Sequence, residues 1–242
     1  VQVSAENSCT ATAIVVRGVE VSVSPPENSG APENILTYKV TVKNMGNIAD
    51  NYNLAASDDK GWIPRLTPSS LEVPPGENRT TTLLVTIPRN AAHSTRDNVT
   101  VTATSQRDNK VKDNASCIAH AVIDRRVEVS ISPSYDNGVP GATLSYTVTV
   151  ANRGNVADNY DLTVSDSAVP SWNPTVSPTF LLRIAAGGSG TATLSVTIPS
   201  DAGHGEEDNI RVVATSRENV GVSATASCEA EVWILVRPEV SI

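Results

Sequence analysis

Residues 43–54 read KNMGNIADNYNL, and residues 151–162 read ANRGNVADNYDL, which is the same pattern 108 positions later. The similarity extends in both directions along the chain. VEVSVSP at 19–25 recurs as VEVSISP at 127–133, and LLVTIP at 83–88 recurs as LSVTIP at 194–199. A repeat of this length, about 110 residues, indicates that a whole structural unit has been duplicated.

The repeat predicts where the domains begin and end. Two complete units span 17–125 and 126–237. Residues 1–16 match the end of each unit, so we expect them to be the last strand of a preceding repeat. Residues 238–242 read PEVSI, which matches the start of a unit, so we expect the first strand of a following repeat. On this interpretation the chain is a segment of a longer tandem array.

Each unit alternates apolar and polar residues with a period of two. LTYKVTVK at 36–43 and LSYTVTV at 144–150 are the clearest cases. Such alternation is typical of a strand with one face in a core and the other in water. Turn-forming residues recur roughly every 10 residues, and no apolar run has helical spacing. Each unit is therefore predicted to be an antiparallel β-sandwich of about seven strands, and the chain to be all-β.

The repeated N-x-G-N stretch is predicted to be a loop between two strands. Glycine takes positive φ without a Cβ clash, and asparagine tolerates it. We therefore expect Gly46 and Gly154 to adopt that conformation. The residues after them, Tyr52 and Tyr160, are expected to point back into the core.

Composition excludes several classes of function. The formal charge of −8 argues against a nucleic-acid partner, which requires a basic patch. No apolar stretch approaches the roughly 18–20 residues that cross a bilayer. There is no G-x-S-x-G motif, no phosphate-binding glycine loop and no pair of carboxylates distinct from turn residues. We therefore expect a non-catalytic chain without catalytic residues or a bound cofactor.

Cys9, Cys117 and Cys228 each stand ten residues before the first strand of the next repeat. With one cysteine per unit, no disulfide can close within a unit. The alternation places Cys228 on the inward face, where a thiol packs as a small apolar residue. The alternative is an interchain disulfide between neighbouring copies in an oxidising compartment.

Two acidic loops are candidates for a metal site. His93 and His204 each precede an aspartate by four residues, and one histidine per loop makes a poor zinc site. Calcium prefers oxygen ligands, so the calcium candidates are Asp97, Glu206, Glu207 and Asp208. The alternative is an acidic turn exposed to solvent. The pairs Asp50/Asn51 and Asp158/Asn159 allow the same two interpretations.

Three Asn-X-Ser/Thr triplets begin at Asn78, Asn98 and Asn114, all in the first unit. A chain this rich in Asn, Ser and Thr contains several such triplets by chance, so their number alone predicts nothing. Their expected positions on polar edges and turns would permit glycosylation of a secreted protein.

The order N-x-G-N, D-N-Y-x-L, Trp62 or Trp172, then V-T-I-P and A-T-S resembles known immunoglobulin-like modules. They are the NPCBM-associated modules found beside carbohydrate-binding domains in secreted glycosidases, and the CARDB-type repeats of cell-adhesion-related proteins. The resemblance covers both units and implies an extracellular, cell-surface location and no active site. The second unit departs from it at 185–188, AAGG against PPGE at 74–77, so we expect a different turn there.

The join between the units is short. CIAHAVIDRRVEVSI at 117–131 contains neither Gly nor Pro, so one unit should pass almost directly into the next, giving a stiff rod. The leading hypothesis is a non-catalytic segment of an extracellular surface layer, sheath, filament or stalk, whose partners are copies of itself or neighbouring repeats.

The alternative hypothesis is an accessory adhesion module, or a carbohydrate- or substrate-binding module, of a large secreted hydrolase. Exposed aromatic rings would favour it, because sugars stack on rings. Trp62 and Trp172 are the recurrent candidates for such a platform, and their other interpretation is a cap over the sandwich edge. Trp233 falls on the outward register of its strand.

Overall fold

The computed structural model of the chain describes residues 7–234. These residues form eighteen β-strands and no helix, and they divide between two compact units, Val1–Val122 and Ile123–Ile242. The predicted all-β fold of two sandwiches is confirmed. Residues 7–234 contain no helix that is long and apolar enough to span a membrane.

The two chain ends remain a prediction. Residues 7–18 form no strand, and residues 1–6 and 238–242 lie outside the described residues. Their assignment to a preceding and a following repeat therefore rests on the sequence pattern alone.

Unit 1 is a sandwich of two sheets. The four-stranded sheet has the order β1-β3-β7-β5, and the five-stranded sheet has the order β2-β9-β8-β4-β6. The strands are β1 (Val19–Ser24), β2 (Glu27–Gly30), β3 (Ile35–Asn44), β4 (Asp50–Ser57), β5 (Arg65–Thr67), β6 (Ser70–Val73), β7 (Asn78–Thr86), β8 (Arg96–Ser105) and β9 (Lys112–Ala121).

Unit 2 repeats this topology strand for strand. Its sheets have the orders β10-β12-β16-β14 and β11-β18-β17-β13-β15. The strands are β10 (Val127–Ser132), β11 (Tyr135–Gly138), β12 (Thr143–Asn152), β13 (Asp158–Ser165), β14 (Thr175–Ser177), β15 (Phe180–Ile184), β16 (Ser189–Thr197), β17 (Glu207–Ser216) and β18 (Ser223–Val232).

Each unit has nine strands rather than about seven. The additional strands are short edge strands, such as β2 and β5, with three to five residues each. So few residues show no periodicity, which is why the sequence did not indicate them. Strand β2 also runs parallel to its neighbour, with Glu27 opposite Ile118, whereas the other pairings in unit 1 are antiparallel.

The core lies between the two sheets of each unit, and a tyrosine links them. Tyr38 on β3 is 1% exposed, and its hydroxyl donates to the carbonyl of Ile118 on the opposite sheet at 2.8 Å. Tyr146 does the same to Glu229 at 2.9 Å. A buried tyrosine needs such a partner for its hydroxyl, so each ring fills the core and its hydroxyl bridges the sheets.

The predicted difference between the turns at 74–77 and 185–188 is wrong. Gly76 and Gly187 both have φ near +74°, at +74° and +73°. The amide of Gly76 donates to Asn44, and the amide of Gly187 donates to Asn152, each at 3.0 Å. The position that requires a left-handed conformation is Gly in both sequences, so the change from Pro-Pro to Ala-Ala leaves the backbone unchanged.

Candidate functional site

The repeated N-x-G-N loop begins with a buried asparagine. The side-chain amide of Asn44 donates to the carbonyls of Ile48 and Val73 at 2.7 and 2.9 Å, and its oxygen accepts the amide of Gly46 at 2.9 Å. Asn152 makes the three equivalent bonds in unit 2. Because a buried amide must be satisfied, this position fixes the loop and ties it to the neighbouring edge strand.

The glycine of this loop is required for close approach. Gly46 and Gly154 do not have the positive φ that the sequence analysis expected. Instead, a Cβ on Gly46 would collide with the carbonyl of Val16 and the Cα of Arg17, and one on Gly154 would collide with Asp124 and Arg125. The loop therefore packs directly on the segment that leads into the first strand of its own unit.

Asn47 and Asn155 bind this entering segment. The backbone amide of Val16 donates to Asn47 Oδ1 at 2.9 Å, and Asn47 Nδ2 donates to the carbonyl of Ile14 at 2.7 Å. In unit 2 the amide of Asp124 donates to Asn155 Oδ1 at 2.7 Å. The side chain thus pairs with the backbone of a segment that lies outside the strands of its unit.

The buried carboxylate of Asp50 also binds this entering segment. Asp50 Oδ2 accepts Arg17 at 2.9 Å and the hydroxyl of Ser105 at 2.7 Å. Burial acts to raise the pKa of Asp50, but the bonds from Ser105 and Arg17 outweigh it and hold that pKa below its usual range. Unit 2 repeats this arrangement. The guanidinium of Arg125 lies 3.1 Å from Asp158 Oδ1, and the hydroxyl of Ser216 donates to Asp158 Oδ2 at 2.8 Å.

A tyrosine hydroxyl completes the arrangement. Tyr52 donates to the carbonyl of Gly18 at 2.9 Å, and Tyr160 donates to Arg126 at 3.5 Å. Burial raises the pKa of both phenols to about 12, so they remain donors at any physiological pH. We refer to the three side chains in each unit as the entry clamp: Asn47, Asp50 and Tyr52, and Asn155, Asp158 and Tyr160.

The end of each unit is also held by its own backbone. The amide of Val122 donates to Gly30 at 2.9 Å, and the amide of Trp233 donates to Gly138 at 2.8 Å. Unit 1 therefore binds the chain as far as residue 122, and the entry clamp of unit 2 binds it again from Asp124.

The four calcium candidates do not form one cluster. Asp97 and Asp208 are fully buried, so the acidic turn exposed to solvent, which was the alternative, is wrong for both. Glu206 and Glu207 are exposed beside a shallow depression near Trp172. No group of three His, Cys, Asp or Glu side chains within residues 7–234 is placed to hold a metal ion.

Asp97 and Asp208 instead each fix a loop of their own unit. Asp97 Oδ1 accepts the amides of Asp59 and Lys60, both at 3.1 Å. Asp208 Oδ1 accepts the amides of Ser167 and Ala168, both at 3.0 Å. In each aspartate the second oxygen, Oδ2, is buried without a hydrogen-bond partner.

The cysteines differ in exposure. Cys117 and Cys228 are buried, as the alternation predicted for Cys228, whereas Cys9 is exposed. Burial raises the pKa of both buried thiols to about 11. This environment suits a small apolar side chain, and an interchain disulfide through Cys117 or Cys228 would require the core to open.

The two recurrent tryptophans are buried, whereas Trp233 and the three glycosylation candidates are exposed. Trp62 and Trp172 are 5% and 6% exposed, so they cap the core and form no platform. Trp233 is exposed, as its register predicted, and so are Tyr135 and Phe180, which sequence reasoning missed. The triplet asparagines lie on the surface: Asn78, Asn98 and Asn114.

The outer face of the four-stranded sheet differs between the units. In unit 2 its pairs are Thr147 opposite Thr193 and Ser145 opposite Ser195, with similar pairs along β12 and β16. We call this the hydroxyl face: Ser130, Ser132, Thr143, Ser145, Thr147, Thr149, Thr175, Ser177, Thr191, Thr193, Ser195 and Thr197. In unit 1, Lys39 and Arg65 occupy the positions of Thr147 and Thr175.

Two family models match the chain, one in each unit. Residues 19–124 match the VWA7 Ig-like domain, and residues 139–217 match the NPCBM-associated, NEW3 domain of alpha-galactosidase. No curated protein sequence matches the chain significantly.

Similar solved structures share little sequence with the chain. A protein of unknown function from Porphyromonas gingivalis W83 is 16% identical, with a TM-score of 0.34, over 87% of this chain and 99% of that one. The YadV chaperone is 11% identical, with a TM-score of 0.32, over 86% and 98%. Red sea bream transglutaminase is 12% identical, with a TM-score of 0.31, over 89% and 32%.

Proposed function

We propose that this chain, which consists of tandem immunoglobulin-like repeats of the NPCBM-associated type, is a non-catalytic structural segment of an extracellular tandem-repeat protein. Ig-like and NEW3 domains are accessory modules without catalytic function. The proposed work of this segment is spacing and load-bearing in a surface layer, sheath, filament or stalk. Its partners would be further repeats and other copies of the same protein.

The observation that carries this proposal is the duplicated entry clamp. Both units bind the segment leading into their first strand with the same Asn, Asp and Tyr side chains. Only Ile123 separates the last amide bound within unit 1, that of Val122, from the first bound within unit 2, that of Asp124. A run of several unbound residues, which a flexible tether needs, is therefore not found between Val122 and Asp124.

The buried carboxylates also support a non-catalytic role. Asp50 and Asp158 are occupied by Arg and Ser partners, and Asp97 and Asp208 by backbone amides. All four carboxyl groups are buried, at most 3% exposed.

Electron microscopy of the intact native protein tests this proposal. We expect ordered arrays, fibres or stalks in which the repeats are visible as regularly spaced modules. Isolated particles in which the repeats are attached to a catalytic domain would contradict the structural role and favour the alternative described below.

The surface positions of the three triplet asparagines would permit glycosylation of a secreted protein. Asn78, Asn98 and Asn114 are all exposed. We propose that they carry glycans when the protein is made in its own cell. Intact-mass measurement before and after enzymatic deglycosylation tests this, and an unchanged mass equal to the polypeptide mass would contradict it.

One observation favours the alternative, a glycan-binding accessory module. The hydroxyl face lies in unit 2, largely within the segment that matches the NEW3 domain of alpha-galactosidase. Its twelve hydroxyl groups carry no charge, and Thr143 and Thr197 contact each other at 3.0 Å. Glu128, which pairs with Arg153, is a charged residue on β10 at the edge of the same sheet face. Hydroxyl donors and acceptors suit a neutral polysaccharide because they carry no charge that must be desolvated.

A matched exchange between the units tests this alternative. The double variant Thr147→Lys/Thr175→Arg copies unit 1, so we expect unit 2 to remain folded. If the hydroxyl face binds glycans, co-sedimentation with an insoluble neutral polysaccharide falls in this variant, and the reverse exchange, Lys39→Thr/Arg65→Thr, raises it. Equal co-sedimentation of all three proteins would exclude this face as the binding surface.

A further inference from the structure

A reciprocal pair of hydrogen bonds brings two carboxyl groups together in unit 1. Asp97, on β8, accepts the amide of Asp59 at 3.1 Å. Asp59, in the loop after β4, accepts the amide of Asn98 at 2.9 Å. Because each carboxyl group binds the backbone at or beside the other residue, the two carboxyl groups are held next to each other.

The position of Asp97 makes its charged form costly. Its side chain is fully buried, and Oδ2 has no hydrogen-bond partner in the protein. An ionised oxygen without a donor, buried beside a second carboxylate, is strongly disfavoured. Two carboxylates in such contact bind one proton between them in preference to ionising together.

We propose that Asp59 and Asp97 form a proton-binding pair, in which Asp97 is protonated under mildly acidic conditions and donates to Asp59, so that unit 1 is stabilised by acid. This pair is separate from the entry clamp and independent of the proposed structural role. We expect it to respond to pH as a unit, because the two groups share the proton.

The groups around Asp97 support this assignment. Burial, followed by the neighbouring carboxyl group of Asp59, raises the pKa of Asp97 to about 6, and Asp58 acts in the same direction. The amide of Asn98 and then the neighbouring carboxyl group of Asp97 lower the pKa of Asp59.

Two other titratable groups face the buried aspartate of the pair and are neutral in this pH range. The thiol of Cys117 on β9 and the phenol of Tyr38 on β3 both face Asp97, and burial raises the pKa of each, that of Cys117 to about 11. They stay neutral between pH 4 and pH 7. Lys60 donates only its backbone amide to Asp97 and carries the nearby positive charge of the loop.

Unit 2 has the same loop without the second carboxyl group. Ser167 occupies the position of Asp59, and its hydroxyl accepts the amide of Asn209 at 3.0 Å, as Asp59 accepts Asn98. That hydroxyl also lies 3.5 Å from Asp208 Oδ1. Burial, and to a smaller extent Asp166, raises the pKa of Asp208, but Ser167 has no carboxyl group that could share a proton with it.

The sign of the pH effect follows from the shift of Asp97. A folded-state pKa of about 6, above the ordinary value of 3.8, means that the folded unit retains a proton that the unfolded chain releases. This stabilisation is fully present below the unfolded pKa and is lost as the pH rises through about 6. Linkage converts the shift into a roughly tenfold rise in the unfolding constant of unit 1 between pH 5 and pH 7.

Hydrogen exchange of the full chain, resolved by mass spectrometry and corrected for the intrinsic exchange rate, tests the proposal in each unit. In the natural chain we expect the corrected exchange rate of β8 peptides to rise roughly tenfold between pH 5 and pH 7. We expect it to be smaller in Asp59→Ser, where burial alone still raises the pKa of Asp97, and we expect the weaker rise in β17 peptides to grow in Ser167→Asp, which copies unit 1. A rise of the same size in Asp59→Ser as in the natural chain, or no rise in the natural chain, would overturn the proposal.

Carboxyl ¹³C NMR gives a second readout that does not depend on unfolding. We expect the Asp97 carboxyl to titrate near pH 6 and to titrate at lower pH in Asp59→Ser. Exchange measured with added calcium distinguishes a bound proton from a bound metal ion. If millimolar calcium protects β8 peptides at pH 7 and Asp59→Ser abolishes that protection, the pair holds a metal ion instead of a proton and the proposal is wrong.

Discussion

Units 1 and 2 share their entry clamps but differ at their surfaces. Asn47 and Asn155 bind the entering segment in the same way, whereas Lys39 is replaced by Thr147 on the outer sheet face. The bonds from these asparagines to the backbone of their own unit are repeated in both units. The comparison teaches that the two units share the fold and the entry clamp, whereas the residues on their outer sheet faces differ.

Removal of the buried carboxylate should have the largest effect, and it should be the same in both units. Asp50→Ala and Asp158→Ala each leave an arginine and a serine without their partner. We expect each to cost about 3 kcal/mol of unfolding free energy in its own unit, measured by urea denaturation with unit-resolved hydrogen exchange. Asp161→Ala, which removes an exposed ion pair from the same strand as Asp158, is the control and should cost much less.

Truncation of the clamp asparagines should have the next largest effect. Asn47→Ala and Asn155→Ala remove bonds to the entering backbone and are expected to cost about 1 kcal/mol each. The larger cost is expected at Asn155, which is buried, whereas Asn47 is exposed. The amides of Val16 and Asp124 should exchange faster in the respective variants. Exposed Asn209→Ala is the control, and an equal effect of Asn155→Ala and Asn209→Ala would show that the clamp does not hold the segment.

The sequence predicted the core well because periodicity is local. The alternation in 36–43 placed Tyr38, Val40 and Val42 inside, and all three are buried. The entry clamp was beyond this reasoning, because Asn47 bonds to Val16, 31 residues away, and Arg17 to Asp50, 33 residues away. Periodicity carries no information about such pairs.

The glycine of the repeated loop shows the same limit. Its recurrence at 46 and 154 was visible, but sequence reasoning attributed it to positive φ, the local reason for a glycine. The actual reason is the close approach of another segment, at residues 16 and 17 in unit 1. Burial of Asp97 and Asp208 was missed for a similar reason, since an aspartate that accepts backbone amides has the same sequence appearance as one in a solvated turn.

The buried thiols should stabilise both units below about pH 9, and this contribution to the unfolding free energy should be lost at higher pH in both. Because burial raises the pKa of Cys117 and Cys228 to about 11, the folded state favours the neutral thiol. The resulting stabilisation is present below the unfolded pKa, about 9, and is lost as the pH rises toward 11. A thiol reagent at pH 8 should label Cys9 alone in the native protein and all three cysteines in urea. Rapid native labelling of Cys117 or Cys228 would contradict their burial.

The smallest expected effect distinguishes the units. Arg217 pairs with Asp161 and stacks on Phe180 at 4.9 Å, whereas unit 1 has the neutral pair Gln106 and Asn53 at those positions. We expect Arg217→Ala to lower the melting temperature of unit 2 slightly, with part of the loss disappearing in high salt because salt screens exposed ion pairs. Gln106→Ala should show no salt dependence, and a salt-dependent loss there would remove the distinction.

The freedom of the joint between the units tests the central claim most directly. Thr82 and Thr193 are exposed at equivalent positions of the two units. Spin labels on Thr82→Cys and Thr193→Cys, in a Cys9→Ser background, report the distance between the units by pulsed electron paramagnetic resonance. We expect a single narrow distance distribution that broadens when a short Gly-Ser insertion follows Ile123. A distribution already as broad without the insertion would contradict a joint restrained by the entry clamp, and the proposed spacing role would fail with it.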